Sequence, residues 1–558
     1  MTRDTGELLF LPLGGAGEIG MNLNLYCCED QWLMVDLGIT FADEQLPGID
    51  VILPDPAFIV ERRDRLLGLV LTHAHEDHLG AVVYLWSRLR CPVYATPFTA
   101  AVLRRKIARD GHTYGATEMA IHELPLGARF TLGPFDIEYI ALTHSILEPN
   151  ALAIRTPLGL VLHTGDWKLD PDPVIGAITD EEAFKALGRE GVLAMICDST
   201  NVLRDGESGS EAALLEPLSA IIGGATGLVA VGCFASNVAR IETICRAAEA
   251  NGRHVALIGP SLWRITEAAR ETGYLEDVPA FLDARDTGHL PDDKILYICT
   301  GSQGEPRAAL SRISECDHPQ LTLGKGDLVI FSSKIIPGNE LAINRLHNRL
   351  IALGVEVITE DDHFIHVSGH PCRDELSRMY HWVKPEISVP VHGEARHLVE
   401  HVEFARSLQV GQAVLVQNGA LVRLAPGPAE VVDHVHAGRL IIDGNALVGA
   451  DSPTVQERRR LMWNGVAFVT LVIDEEGSLL ADPKITAQGL FHPDQSKEEA
   501  KAVLAGAAAD IRRAMAGAPS GDINDDGKIR DIARIAVRRR LKGSHGKRPV
   551  VEIQIVRL

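Results

Sequence analysis

The sequence predicts an α/β protein in three parts, and three observations carry that prediction. Apolar, strand-like runs end in acidic or metal-ligating residues, most clearly the run 66–71, which leads directly into Thr72-His73-Ala74-His75-Glu76-Asp77-His78. Between about 201 and 360, strand candidates (228–231, 255–258, 295–299, 328–331, 355–358) alternate with helical periods (238–250, 262–272, 340–353), as in a parallel α/β domain. Beyond turn-rich segments at 426–428 and 449–453, the chain spells strand 466–473, helix 500–515, helix 529–541 and strand 550–556, a small α/β domain.

Taken in order, each functional residue stands at a strand end, where an α/β scaffold exposes groups without disturbing its core. Asp36 closes 33–35, His144 follows 137–143, Asp166 ends 160–166 and His392 closes 387–391. The run at 73–78 packs three imidazoles and a carboxylate into one turn, enough to grip two metal ions from one place. An HExxH zinc helix is excluded, because the spacing differs and no helix is expected there. The implied chemistry is that of a dinuclear metallohydrolase.

The spacing resembles the HxHxDH motif of the metallo-β-lactamase superfamily, which implies an αββα sandwich. By that resemblance His73, His75 and His144 hold one ion, Asp77, His78 and His392 hold the other, and Asp166 bridges. The same resemblance implies that Asp36 orients the ligand loop without binding metal. The resemblance implies two zinc ions per subunit, with Mn2+ or Mg2+ as alternatives. The organised insertion resembles a β-CASP nuclease domain: Asp198 in Cys197-Asp198-Ser199-Thr200-Asn201 matches motif A, His370 matches motif B and His392 doubles as motif C. RNA-directed members carry His at motif C, so the likeness favours RNA over DNA. With 11–22, 233–237, 300–306 and the extra C-terminal domain, the chain is similar to the bacterial ribonuclease J family over nearly its whole length, with no departure at a ligand position.

That likeness implies 5′-to-3′ exonuclease activity on single-stranded RNA with a 5′-monophosphate, plus internal cutting, in RNA maturation and decay. Alternatives are another β-CASP nuclease, for DNA or messenger-RNA 3′ ends, and a non-catalytic RNA-binding scaffold. Donors for phosphate oxygens are offered by Ser236, Asn237, His366, Ser368 and the Gly369 N–H. Phe234 and Val367 lie in the same two segments, and His370 belongs to the second as well. Ser236 and Asn237 also read as an N-cap for the helix at 238–250, and both roles are compatible. His370, with Asp198, is the candidate acid for the leaving oxygen, and Asp77 is counted with these catalytic groups as well as among the ligands.

Other signals carry less. Gly15-Ala16-Gly17-Glu18-Ile19-Gly20 matches a dinucleotide fingerprint, but 21–26 alternates like a strand and offers no helix to a pyrophosphate. The run 522–527 opens like an EF-hand, yet position twelve is Ala533. Asp50 and Asp443 are candidates for a structural Ca2+ suggested by some family members. Nine cysteines without a Cys-x-x-Cys pair argue for reduced thiols. With no signal-peptide pattern and no membrane-length apolar run, the expectation is a cytoplasmic protein that does not engage membranes. A net charge of −21 has the wrong sign for nonspecific nucleic-acid binding. The expectation is therefore a local basic path, from Arg104-Arg105-Lys106, from 325–334, or from 528–548 with nine Lys/Arg against one Asp. That last run reads first as a helix, 529–541, paired with acidic neighbours at a subunit contact, and the other two read equally as solvated faces.

The expected division is a discontinuous core at 1–200 and 361–450, a β-CASP domain at 201–360, a linker at 451–456 and a C-terminal oligomerisation domain at 457–558, giving a homodimer or a dimer of dimers.

Overall fold

The computed structural model describes residues 6–42, 45–491 and 496–558. The chain divides into two compact units, Met1–Thr40 with Ile52–Leu440, and Phe41–Val51 with Ile441–Leu558.

The larger unit contains mixed sheets of eight and seven strands among the described residues. Strand alternation decides what each face packs against. In Phe135–Ala141, Phe135, Ile137 and Tyr139 join Phe10, Tyr26, Leu33, Val35 and Val70 of the other sheet, whereas Ile140 turns outward to Phe184, Leu187, Met379 and Tyr380. Val192–Asp198 does the same, with Ala194 and Ile196 between the sheets and Met195 and Cys197 under the helices. This is the expected sandwich with helical outer layers, each large core side chain contributing about 1.5–3 kcal/mol of burial.

Strand direction then gathers the chemistry. Gly159–His163, Val192–Asp198 and Ile387–Val391 run parallel with Asp198 opposite Val391, while Gln31–Val35 runs parallel to Leu66–Val70 with Val35 opposite Val70. Asp36, His73, Asp166 and His392 therefore leave carboxyl ends of parallel strands, and Asp198 is the last residue of one.

The inserted domain is a parallel sheet in the order Leu282–Asp283, His254–Ile258, Ile295–Cys299, Val229–Gly232, Leu328–Phe331, Glu356–Ile358. The five expected strands are present. The sixth, Leu282–Asp283, is two residues long and too short to carry a pattern. Segments 233–237 and 359–370 both leave carboxyl ends of this sheet.

In the smaller unit, Lys484–Gln488, Val466–Ile473 and Val550–Arg557 form one sheet whose inner face packs on helices Lys497–Ala516 and Asp526–His545. Strand–helix–helix–strand is thus right but incomplete. The added edge strand Lys484–Gln488 alternates exposed and half-buried residues, so no apolar run announces it. The helix Pro453–Asn464 begins inside the segment expected as a linker. In the EF-hand-like run Asp525 caps the helix Asp526–His545, whose basic residues are partly paired: Lys528 with Asp522, Arg534 with Asp531 and Arg540 with Asp510.

Two buried histidines give the larger unit an acid-sensitive core. His401 Nδ1 bonds Ser199 Oγ at 2.8 Å and Nε2 bonds the Tyr380 hydroxyl at 2.9 Å, while His163 Nδ1 bonds the Tyr26 hydroxyl at 2.8 Å. Burial holds both imidazoles down at about 4. The unfolded chain, with ordinary imidazoles near about 6.5, binds more protons in that window, so stability is lost as pH falls from about 6.5 to about 4. Between pH 7.5 and pH 5 each should remove about 2 kcal/mol. In denaturant titrations at the two pH values, His401→Gln is expected to halve the drop assigned to the pair; an unchanged drop would refute this assignment.

Candidate metal centre

The ligand turn is held down by backbone pairing. Asn22 N donates to Asp77 O at 2.9 Å, Leu37 N to His78 O at 2.6 Å and Ile39 N to Glu76 O at 2.9 Å. The approach is close enough to require glycine at 38, where a Cβ would lie 1.7 Å from Asp77 O. One helical turn, Glu76–Leu79, carries Asp77 and His78, which corrects the expectation that no helix is present. Its four residues are too few to show helical periodicity, and the spacing still excludes an HExxH helix.

Hydrogen bonds settle which ring nitrogens point inward. Asp36, held at φ 62°, accepts from Thr72 N and Oγ1, both at 2.8 Å, and from His78 Nδ1 at 2.7 Å. Thr72 Oγ1 spends its hydrogen on Asp36, so it accepts from His73 Nδ1 at 3.0 Å and leaves Nε2 a lone pair. Thr200 repeats the device at the other end: it donates to Asp198 Oδ1 at 2.7 Å and faces His392 Nδ1 at 2.9 Å. His144 Nδ1 donates to Gly369 O at 2.5 Å. His392 sits at φ 51°, and such left-handed non-glycine residues cost about 1–3 kcal/mol and cluster at functional sites.

The inward atoms form two groups. His73 Nε2 and His144 Nε2 each lie 3.1 Å from His75 Nδ1. Burial holds His73 and His144 well below the usual imidazole value and His75 at about 4, so these are neutral rings. A single hydrogen on His75 Nδ1 could satisfy only one of the two contacts, so the spacing suits a shared cation and the donor set fits a metal ion. In the second group His392 Nε2 lies 3.1 Å and His78 Nε2 3.7 Å from Asp77 Oδ2. Asp166 Oδ2 lies between the groups, 3.2 Å from His78 Nε2 and 3.8 Å from His144 Nε2. Burial would depress His392, but Asp166, Asp198 and Asp77 hold it at about 10; the same contest, with Asp166, Asp77 and Asp36, keeps His78 well above the usual range. These carboxylates draw positive charge into the site. All seven expected ligands are brought together, each within reach of Asp166 or of the first group.

Next to the ligands, His370 Nδ1 donates to Asp198 Oδ2 at 2.8 Å. Burial opposes a proton on His370, but Asp198 outweighs it and raises the ring above its usual value. Gly369 packs against His144, where a Cβ would meet the imidazole at 2.8 Å. Ser368 Oγ accepts from Asn201 Nδ2 at 2.7 Å and from His370 N at 3.2 Å, and Val367 is buried. Phe234 and Ser236 are half-buried in the turn before the helix Val238–Ala250. Asn237 caps that helix by accepting from Arg240 N at 3.0 Å, and its amide reaches toward Glu211.

Sequence reasoning did not single out several partners. Asn22 Nδ2 lies 3.0 Å from His78 Nε2, and Thr200 and Asn201 brace His392 and the His370 loop. Glu375 is wholly buried and accepts from Leu169 N, Ser208 N, Ser208 Oγ and Cys372 N at 2.7–2.8 Å. Asn22, Thr200 and Asn201 lie inside the quoted motif strings; Glu375 carries no local signal. Arg104, Arg105 and Lys106, expected as part of a basic path, are paired with Glu123, Glu271 and Glu76. Asp443 is held by Arg458 at 2.8 Å, and neither Asp50 nor Asp443 joins a group of three or more converging donors among the described residues.

A two-sheet sandwich with this donor cluster and an inserted parallel domain defines a β-lactamase-superfamily metallohydrolase of the β-CASP type. Family models agree along the chain: beta-lactamase superfamily domain at 43–181, ribonuclease J beta-CASP domain at 226–350, Zn-dependent metallo-hydrolase RNA specificity domain at 354–411 and ribonuclease J C-terminal domain at 453–558. Ribonuclease J of Sinorhizobium meliloti is 45% identical over 99% of this chain and 98% of its own length. Those of Mycolicibacterium smegmatis (37%; 99% and 98%) and Thermus thermophilus (35%; 84% and 82%) are also similar. A crystal structure of an Enterococcus faecalis protein of unknown function shares the fold, with TM-score 0.52 and 15% identity over 75% of this chain and all of that one. The chain belongs to the ribonuclease J family and is a hydrolytic, metal-binding ribonuclease acting on RNA. No helix among the described residues is long and apolar enough to cross a membrane.

Proposed function

We propose that this chain is a two-zinc ribonuclease that removes nucleotides 5′ to 3′ from RNA bearing a 5′-monophosphate and also cuts internally. The observation that carries the reading is the pair of donor groups sharing Asp166, directly beside a loop, 366–370, rich in phosphate-oxygen donors. Neutral nitrogen donors with carboxylates suit zinc, and Mn2+ or Mg2+ would be weaker fits to so many imidazoles. Two such ions supply a water acidic enough to ionise near about pH 7 and positive charge for the phosphate oxygens. His73, His75 and His144 would hold one, Asp77, His78 and His392 the other, and Asp166 both.

The remaining residues have separable tasks. Asp36 fixes His78 directly and His73 through Thr72. Ser236, Ser368, the Gly369 N–H and His366 bind the terminal phosphate, with Phe234 and Val367 shaping the walls and Asn237 capping the helix whose amino end adds a partial positive charge. His370, held by Asp198, protonates the leaving 3′-oxygen. Each cut then leaves a fresh 5′-phosphate, the end group that the pocket requires for the next cycle. The decisive assay uses one RNA with monophosphate, triphosphate or hydroxyl 5′ ends, sizing products over time. Mononucleotides should accumulate fastest from the monophosphate; equal rates on all three ends would overturn end recognition.

The reading extends to assembly and compartment. In the smaller unit Phe468 and Val556, on adjoining strands, are exposed on the sheet face away from the helices, an apolar display that supports a self-complementary contact in a homodimer or dimer of dimers. Nine free cysteines, eight of them buried, support a reducing cytoplasm. Removing 453–558 is expected to yield monomers with full metal content and weakened RNA processing. Light scattering that finds the truncated protein still dimeric would dispose of the assembly role.

A further inference from the structure

Arg240 is a wholly buried cation on the first turn of the helix Val238–Ala250. Its Nε and Nη2 donate to the two oxygens of Glu211 at 3.0 and 2.9 Å, a bidentate pairing that fixes the guanidinium plane and aims Nη1 away. Nη1 lies 2.7 Å from Ser332 O, 2.9 Å from Ser332 Oγ and 3.3 Å from His366 Nδ1. Ser332 Oγ donates in turn to Ile365 O at 2.7 Å. One side chain therefore ties together three segments: the helix that follows 233–237, the residue after strand Leu328–Phe331, and the loop that carries His366.

Neutralising Glu211 accounts for one edge of the guanidinium; the edge facing His366 has a separate consequence. A guanidinium carries hydrogens and no acceptor, so the imidazole nitrogen facing it must be the unprotonated one. A neutral ring in that position carries its hydrogen on Nε2, the nitrogen turned away from Arg240. The buried charge also opposes a second proton: burial, then the cations of Arg240, Lys168 and Arg204, hold His366 well below the usual imidazole value.

We propose that Arg240, braced by Glu211, is the positioning residue of end recognition, fixing His366 as a neutral imidazole that donates from Nε2 to the terminal phosphate. The inference rests on the reading of the 366–369 loop as the 5′-end pocket. The pocket then grips phosphate by a fixed hydrogen bond, with no imidazolium whose charge would come and go with pH.

Two substitutions separate the ring nitrogens, because the amide nitrogen of Gln reaches the place of Nε2 and that of Asn the place of Nδ1. The readout is the ratio of exonuclease kcat/KM on monophosphate RNA to that variant's own cutting of a circular RNA. A circle has no end, so general losses of folding or chemistry cancel. His366→Gln should keep most of the ratio and His366→Asn should lose roughly tenfold, the scale of one hydrogen bond to a charged group. In the paired variant Arg240→Gln with Glu211→Gln, which removes the buried charges together, burial and the cations of Lys168 and Arg204 still oppose a second proton, but no guanidinium fixes which nitrogen carries the first. Its ratio should fall toward that of His366→Asn, and adding His366→Gln should restore it to the His366→Gln value. Equal ratios for His366→Gln and His366→Asn, or a paired variant whose ratio matches wild type, would overturn the proposal. A wild-type protein indifferent to the 5′ end would instead overturn the reading of the pocket.

Discussion

Asp166→Ala is expected to lose RNA cleavage by about 10^3-fold or more while remaining folded, because it removes the one group that the two donor sets share. Asp166 is 3% exposed, and its Oδ2 stands within 4 Å of a ring nitrogen from each set, His78 and His144. Without it, the three imidazoles of one set and the two imidazoles and Asp77 of the other would share no group, and nothing would fix the spacing of any ions they held. His75→Ala should act more locally. It breaks the group in which His73 Nε2 and His144 Nε2 are each 3.1 Å from His75 Nδ1, so metal is lost first from that side. Metal content per chain by mass spectrometry, measured with single-turnover cleavage, distinguishes the two variants. Substantial turnover by a metal-depleted Asp166→Ala protein would remove the dinuclear reading altogether.

The candidate ligands were legible because strand ends mark themselves. An apolar run that stops at His or Asp is visible without its partners, and parallel register then carries Asp166, Asp198 and His392 to the same end of one sheet. The inserted domain was legible for the same reason, its strands being continuous apolar runs buried on both faces. What failed was pairing at a distance. Arg104, Arg105 and Lys106 look like a free basic patch, yet Glu271, the partner of Arg105, lies 166 residues further along. Glu375 gathers donors from Leu169, Ser208 and Cys372, and Arg240 reaches Glu211, Ser332 and His366; no periodicity encodes such polar hubs. The strand Lys484–Gln488 escaped because an edge strand with alternate exposed positions buries too little to leave a hydrophobic signature.

His370→Ala is expected to lower cleavage by about 10^2–10^4-fold, the usual worth of a positioned proton donor. In the proposed acid role, Nδ1 is bound to Asp198 Oδ2 at 2.8 Å, which would leave Nε2 to offer the proton. Asp198 also sets how long the acid survives with rising pH. Burial alone would deprotonate His370, while the charge and hydrogen bond of Asp198 hold it above its usual value, so wild-type activity should persist past about pH 6.5 before its alkaline limb falls. Asp198→Asn removes that support and should move the limb to lower pH. A loss of rate alone would not distinguish an acid from a structural prop, but the leaving group can. An RNA with sulfur in place of the bridging 3′-oxygen departs as a thiolate, which needs no proton. His370→Ala should therefore cut this substrate at close to the wild-type rate once metal content is matched. Equal losses on the oxygen and sulfur substrates would show that His370 shapes the site without donating the proton.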